Sequence, residues 1–142
     1  AVPGFVARGN GAIINIASIV SIAPEILNGV YGGTKAFVLA FSQSLHHELA
    51  AKGVRVQAVL PGATATEFWE TGGLPLEHLD SAIVMSAQDM VSAALIGFER
   101  GETVTIPALH DVEQWNTFET ARRAMSTQLS SNTPAARYRV AQ

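Results

Sequence analysis

Tyr31 and Lys35 are the two side chains whose types and spacing are best suited to proton transfer. Four residues apart in a helix, they share one face and lie one turn apart. An ammonium about 5 Å from a phenol favours the phenolate by roughly 3 kcal/mol at an effective dielectric constant of about 20. We therefore predict that Lys35 lowers the pKa of Tyr31 enough for acid–base chemistry near neutral pH. The same spacing also occurs on solvent-exposed helix faces, so the surrounding residues must decide between the two interpretations.

Two further groups of polar residues follow predicted strands. Ser18 ends an apolar run and precedes Tyr31 by thirteen residues, so a loop between them can bring the hydroxyl back over the start of the helix. The second group follows the next strand and comprises Pro61, Gly62, Thr64 and Thr66. Taken alone, Ser18 is equally typical of a turn, and a Pro-Gly pair simply ends a strand. The carboxyl ends of parallel strands are, however, where open α/β sheets bind ligands.

The elements that would position these residues follow one another as strand, helix and strand. Residues 11–18 form a short run rich in β-branched residues, which is typical of a strand covered on both faces. Apolar residues then recur at steps of three and four over 30–52, which predicts a helix. Residues 54–60 form a second apolar run closed by Pro61. This order predicts a βαβ unit with parallel strands.

The rest of the sequence extends this pattern. We predict a helix over 86–100 opened by a Ser86 capping residue, a third strand over 103–106, and a last helix over 111–129. Residues 63–85 are expected to be irregular. The predicted fold class is α/β, a partial doubly wound, Rossmann-like parallel sheet of about three strands with flanking helices.

Composition limits the function classes. The 142 residues are 48% hydrophobic and 15% charged, which predicts a single domain over 1–142 with a buried core, and residues 130–142 as a flexible tail. A net charge of −3 argues against a nucleic-acid partner, and the absence of a long apolar run argues against a membrane span. The absence of cysteine fits a cytoplasmic protein. His46, His47 and Glu48 are adjacent on a helix and do not converge, so we predict no metal site.

Taken together, these segments resemble the short-chain dehydrogenase/reductase family. Asn15-Ile-Ala-Ser18 looks like the serine motif at its strand end, and Tyr31-Gly-Gly-Thr-Lys35 matches its Tyr-x-x-x-Lys signature. The segment 61–66, Pro-Gly-Ala-Thr-Ala-Thr, resembles the Pro-Gly segment that follows the next strand of the family. The resemblance covers roughly residues 1–107.

The resemblance implies an oxidoreductase that transfers a hydride between NAD or NADP and an alcohol or carbonyl substrate. Tyr31 would be the general acid or base and would also contact the cofactor. Lys35 would lower the pKa of Tyr31 and bind the nicotinamide ribose, and Ser18 would orient the substrate oxygen. The segment along the nicotinamide and pyrophosphate would comprise Pro61, Gly62, Thr64 and Thr66. A lid over the substrate would comprise Phe68, Trp69 and Leu74. The family resemblance also implies a homo-oligomer.

The glycine-rich phosphate loop of the family has no counterpart in this sequence. Gly9-Asn-Gly11 precedes a strand, whereas the dinucleotide fingerprint follows a strand and opens a helix. Residues 1–8 look like the end of a helix, so we expect this chain to be the rear half of a larger fold, with its first strand exposing an edge. The alternative is a truncated module without a cofactor that serves in binding or assembly. As a third possibility, the sequence is a fragment with no function of its own.

Overall fold

The computed structural model describes residues 1–65 and 80–141. The helices are α1 (Val2–Arg8), α2 (Gly29–Leu49), α3 (Ala87–Glu99) and α4 (Val112–Met125). The strands are β1 (Gly11–Ile16), β2 (Val54–Val59), β3 (Thr64–Ala65), β4 (Met85–Ser86) and β5 (Val104–Thr105). Short 3₁₀ turns at Ile19–Ser21 and Pro24–Ile26 lie within the segment between β1 and α2.

The main sheet has three parallel strands in the order β1-β2-β5. β1 and β2 pair over six residues, from Gly11 opposite Val54 to Ile16 opposite Val59. The predicted α/β class, with a parallel sheet of three strands and flanking helices, is confirmed. A second, two-stranded parallel sheet of β3 and β4 was not predicted, because residues 63–85 were expected to be irregular.

β1 is less covered than its composition suggested. Ile13 packs with Leu45 on the core cluster of Leu49, Val54 and Val56, whereas β2 is buried at nearly every position. The other face of β1 is exposed, with Ile14 at 40% and Ile16 at 48%. The expectation of a strand covered on both faces is therefore wrong for the described residues, because α1 and α2 cover only the face that bears Ile13.

The turn between α2 and β2 depends on Gly53. Its φ of 77° lies in the left-handed region, and a Cβ at this position would collide with the carbonyl oxygen of Gly9. Gly101 has a similar φ of 81° but has open space around it. Glycine is therefore favoured at position 53 by both the backbone conformation and the close approach of Gly9. At position 101 it is favoured by the backbone conformation.

Replacing Gly53 by alanine is expected to reduce the free energy of unfolding more than the matched Gly101→Ala change. The left-handed backbone costs each alanine about 1–2 kcal/mol, and the collision with Gly9 adds at least about 1 kcal/mol to Gly53→Ala alone. Urea unfolding of the two variants measures the difference. Equal losses would contradict the steric argument.

The chain divides into two compact units, Ala1–Ala108 and Leu109–Gln142. In the second, Asp111 caps α4 by accepting a hydrogen bond from the Glu113 amide at 3.1 Å. The Glu119 carboxylate accepts two hydrogen bonds of 2.8 Å from Arg122, and this pairing raises the pKa of Arg122 above its usual value. Across the described ranges, no helix combines the length and the apolar content needed to cross a bilayer.

Candidate active site

Ser18 lies just beyond β1, where the ends of β1 and β2 are held side by side. The Ala17 amide donates to the Val59 carbonyl at 2.8 Å, and the Ile19 amide donates to the Pro61 carbonyl at 3.0 Å. Ser18 is 7% exposed, and its hydroxyl oxygen accepts a hydrogen bond from the Val20 amide at 3.2 Å. Within the described residues this hydroxyl accepts but does not donate, so its proton remains available at the sheet edge.

Tyr31 lies in the first turn of α2, and Asn28 sets where that turn begins. The Asn28 side-chain oxygen accepts a hydrogen bond from the Tyr31 amide at 2.9 Å, which is the usual geometry of a helix N-cap. Asn28 was not predicted as part of the site, although an asparagine just before a helical apolar pattern is a recognised signal for the start of a helix. The phenol hydroxyl has no hydrogen-bond partner among the residues described.

Changing Asn28 to alanine is expected to reduce the free energy of unfolding by about 1 kcal/mol and to speed amide exchange at Tyr31, whose N–H loses its acceptor. Ser86→Ala is the matched control, because the Ser86 hydroxyl caps α3 by accepting from the Asp89 amide at 3.0 Å. It should cost similar stability without changing exchange at Tyr31. Unchanged exchange at Tyr31 in the Asn28 variant would refute the capping role.

The Lys35 ammonium lies near both the Tyr31 ring and the end of β1. Its Nζ lies 5.8 Å from the centroid of the Tyr31 ring and donates a hydrogen bond of 3.3 Å to the Ile16 carbonyl. Both side chains are half-buried. The structure therefore brings the phenol and the ammonium together, next to the strand end that leads to Ser18.

The segment between Ser18 and Tyr31 is fastened to α2. The Ser21 hydroxyl donates to the Lys35 carbonyl at 2.7 Å. Gly32 is buried, and a Cβ at this position would lie 3.3 Å from Pro24 Cβ, so the segment packs closely on the first turns of α2. Ser21 was not predicted from the sequence, because its hydroxyl bonds to a backbone carbonyl and such a bond leaves no pattern of residue types.

The Pro-Gly segment lies at the same sheet edge. Pro61 and Gly62 are half-buried, and a Cβ on Gly62 would lie 3.8 Å from the Ile19 side chain. Thr64 is 7% exposed and donates its hydroxyl proton to the Gly62 carbonyl at 3.1 Å. Thr66 lies outside the described residues. The three predicted lid residues, Phe68, Trp69 and Leu74, also lie outside them.

This edge thus combines a buried hydroxyl, a phenol and an ammonium. Such a set can donate hydrogen bonds to a substrate oxygen and exchange a proton with it. No group of three or more histidine, aspartate or glutamate side chains suited to a metal ion occurs in the described portion of the chain.

Comparison with known proteins gives consistent matches. The model of the family described as short chain dehydrogenase matches residues 1–73. A short-chain dehydrogenase from Sphingobium yanoikuyae, solved in complex with NADPH, is 47% identical with a TM-score of 0.90 over 96% of this chain and 53% of its own. The bulky-bulky ketone specific alcohol dehydrogenase from Comamonas testosteroni is 45% identical with a TM-score of 0.82, over 96% of this chain and 50% of its own.

A match of smaller extent is the very-long-chain 3-oxoacyl-CoA reductase of Bos taurus. It is 52% identical over 65 residues, which are 46% of this chain and 21% of the reductase. The chain therefore spans about half the length of the two solved relatives and about a fifth of the bovine reductase.

Proposed function

Because the chain belongs to the short-chain dehydrogenase family, we propose that it carries the proton-transfer site of an oxidoreductase acting on an alcohol/carbonyl pair with NAD or NADP. The observation that supports this most is the position of Lys35 Nζ, 5.8 Å from the Tyr31 ring and 3.3 Å from the Ile16 carbonyl. This cation lies beside the phenol and next to the strand that leads to Ser18.

In the proposed reaction, Tyr31 exchanges a proton with the substrate oxygen. It donates when a carbonyl is reduced and accepts when an alcohol is oxidised. In the proposal, the positive charge of Lys35, 5.8 Å from the ring centroid, stabilises the negative charge left on Tyr31 after proton transfer. Ser18 donates its free hydroxyl proton to the same oxygen and stabilises the negative charge that develops there. Its burial strengthens that hydrogen bond, because little water competes for the donor.

The nicotinamide nucleotide supplies the hydride. Lys35 has further N–H donors beyond the one directed at Ile16, and these suit the hydroxyls of a ribose. Pro61 and Gly62 are half-buried at the same sheet edge, and we assign their backbone to the amide group of the nicotinamide. Thr64 supports this turn through its bond to the Gly62 carbonyl, and Thr66 completes the segment in the proposal. The residues present therefore fit this part of such a cofactor.

Apolar side chains in the segment between Ser18 and Tyr31 favour a carbonyl flanked by apolar groups. Ile22 is 38% and Leu27 39% exposed, so both are available to an apolar substituent. The Comamonas relative, an alcohol dehydrogenase specific for bulky-bulky ketones, supports the same choice. Ketones with two large apolar substituents should be reduced with a higher kcat/KM than small polar ketones. The opposite order in a ketone panel would contradict this assignment.

Titration with NADH and NADPH tests the proposed function. Nucleotide fluorescence and quenching of the two tryptophans report binding, and loss of the reduced nucleotide with a ketone reports turnover. The proposal predicts saturable binding of at least one nucleotide and its oxidation in the presence of a ketone. A folded protein that binds neither nucleotide would show that oxidoreductase activity is not a property of this chain alone, and would favour the module without a cofactor.

Exposed apolar surface favours a second candidate, an assembly module without a cofactor. Phe37 and Phe41 stack on α2 at 5.7 Å between ring centroids and are 67% and 47% exposed. A second copy of the chain would cover such a face, and a homo-oligomer is compatible with both candidates. Self-association in sedimentation without nucleotide binding would favour the module. A folded monomer that does bind nucleotide would exclude it.

A further inference from the structure

Asn15 and Ser42 join the middle of β1 to the middle of α2. The Asn15 side-chain amide donates a hydrogen bond of 3.0 Å to the Ser42 hydroxyl oxygen. Ser42 is 2% exposed, and Asn15 is half-buried on the β1 face that also bears Ile13. An asparagine within an apolar strand and a serine within the buried face of a helix are both costly unless paired, so the contact requires an explanation.

The direction of each bond at Ser42 is determined. Its hydroxyl donates to the Val38 carbonyl one turn earlier, at 2.7 Å. The hydroxyl proton is therefore used within the helix, and the oxygen is left to accept from the Asn15 amide. Alanine at 42 would leave that amide without its acceptor, whereas threonine would retain the oxygen.

The Asn15–Ser42 contact lies about as far from the candidate site along β1 as it does along α2. Ser18 follows Asn15 by three residues, which span about 10 Å along an extended chain. Lys35 precedes Ser42 by seven residues, which is two helical turns and also about 10 Å. Because α2 runs back along the parallel strands, pairing Asn15 with Ser42 brings Lys35 level with Ser18.

We propose that Asn15 and Ser42 are positioning residues that set the register of α2 along β1 and thereby the distance of Lys35 and Tyr31 from Ser18. This inference rests on the proposed function for its catalytic consequence. Neither residue touches the reacting atoms, and both act through the elements that bear them.

Among the described residues, two other hydrogen bonds link α2 to this region, but one uses a proposed reactive side chain and the other does not reach β1. Lys35 Nζ donates to Ile16, yet the same ammonium is the proposed partner of the phenol and of the ribose. Ser21 donates to the Lys35 carbonyl, but it belongs to the 3₁₀ turn and not to β1. The Asn15–Ser42 bond ties the helix to the strand itself, independently of the reactive side chains.

The test compares Ser42→Ala with Ser44→Ala, an equal change at an exposed position two residues along α2. Ser42→Ala is expected to lower kcat about ten- to a hundred-fold, with the KM for the ketone changed less than about three-fold, because misplaced reacting groups slow the chemical step. Ser44→Ala should match the wild type, and Ser42→Thr should recover most of the rate. A loss of unfolding free energy with kcat unchanged would show a merely structural contact and overturn the inference.

Amide hydrogen exchange over residues 31–38 provides a readout that does not need turnover. Faster exchange in Ser42→Ala than in Ser44→Ala supports the anchoring, and equal exchange overturns it. If the wild type reduces no ketone, the proposed function fails, and exchange alone then decides whether the Asn15–Ser42 bond sets the register of α2. If the wild type is active and the Ser42 variants match it, only the positioning inference fails.

Discussion

Replacing Tyr31 by phenylalanine is expected to lower kcat for ketone reduction by about 10²–10⁴-fold, the range typical of losing a general acid. The change removes only the hydroxyl, which has no hydrogen-bond partner among the described residues, so the fold should be preserved. Nucleotide affinity should change little, because in the proposal Lys35 and residues 61–66 hold the cofactor. Steady-state kinetics and nucleotide titration on the same sample separate the two effects.

Tyr138 provides the matched control, since the chain contains two tyrosines. Tyr138 is 68% exposed in the second compact unit, where its ring lies 4.6 Å from the Arg137 guanidinium carbon. Tyr138→Phe should retain wild-type kcat. Near-normal turnover by Tyr31→Phe would remove the phenol from the mechanism, and an equal loss in both variants would indicate a non-specific effect.

Replacing Ser18 by alanine is expected to lower kcat by about 10²–10³-fold, the cost typical of removing one hydrogen-bond donor from a developing negative charge. The group removed is the Ser18 hydroxyl, which donates to no acceptor among the described residues. The KM for the ketone should rise less than kcat falls, because the donor matters most when charge develops. Kinetics with a bulky apolar ketone measure both terms.

The same substitution also removes a local cap, because the Ser18 oxygen accepts from the Val20 amide. A loss of about 1 kcal/mol in unfolding free energy is therefore expected besides the kinetic effect. Ser18→Thr retains a hydroxyl and should keep much of the rate, and Ser44→Ala controls for serine removal elsewhere. If Ser18→Ala loses stability but retains kcat, Ser18 is a capping residue alone.

The βαβ unit was predictable because its elements are long enough to show their periods. The apolar steps over 30–52 and the runs on either side correspond to α2, β1 and β2, and Gly53, with a left-handed backbone, separates the helical segment from β2. β3 and β4 were not predicted, since residues 63–85, with their glycines and proline, were expected to be irregular. The exposure of one face of β1 could not be predicted either, because an apolar run does not reveal which helices cover the strand.

For the candidate site, it was predictable from the sequence which polar residues lie at the ends of the strands. Parallel strands bring their carboxyl ends to one edge, so Ser18 and Pro61 could be placed together before their backbone link through Ile19 was known. The contacts that adjust the site were not predictable. Asn28, Ser21 and the Asn15–Ser42 bond each depend on a single hydrogen bond with a partner that no motif identifies.

Hydride transfer is tested most directly with a reduced nicotinamide nucleotide that carries deuterium in place of the hydrogen to be transferred. The position of this deuterium in the product is then measured. With a bulky apolar ketone, the account predicts that the product alcohol carries this deuterium on its carbinol carbon, and that Tyr31→Phe forms the labelled product far more slowly. Mass spectrometry of the product measures both. Product labelled from deuterated water at that carbon, or no reduction although the nucleotide binds, would contradict the account.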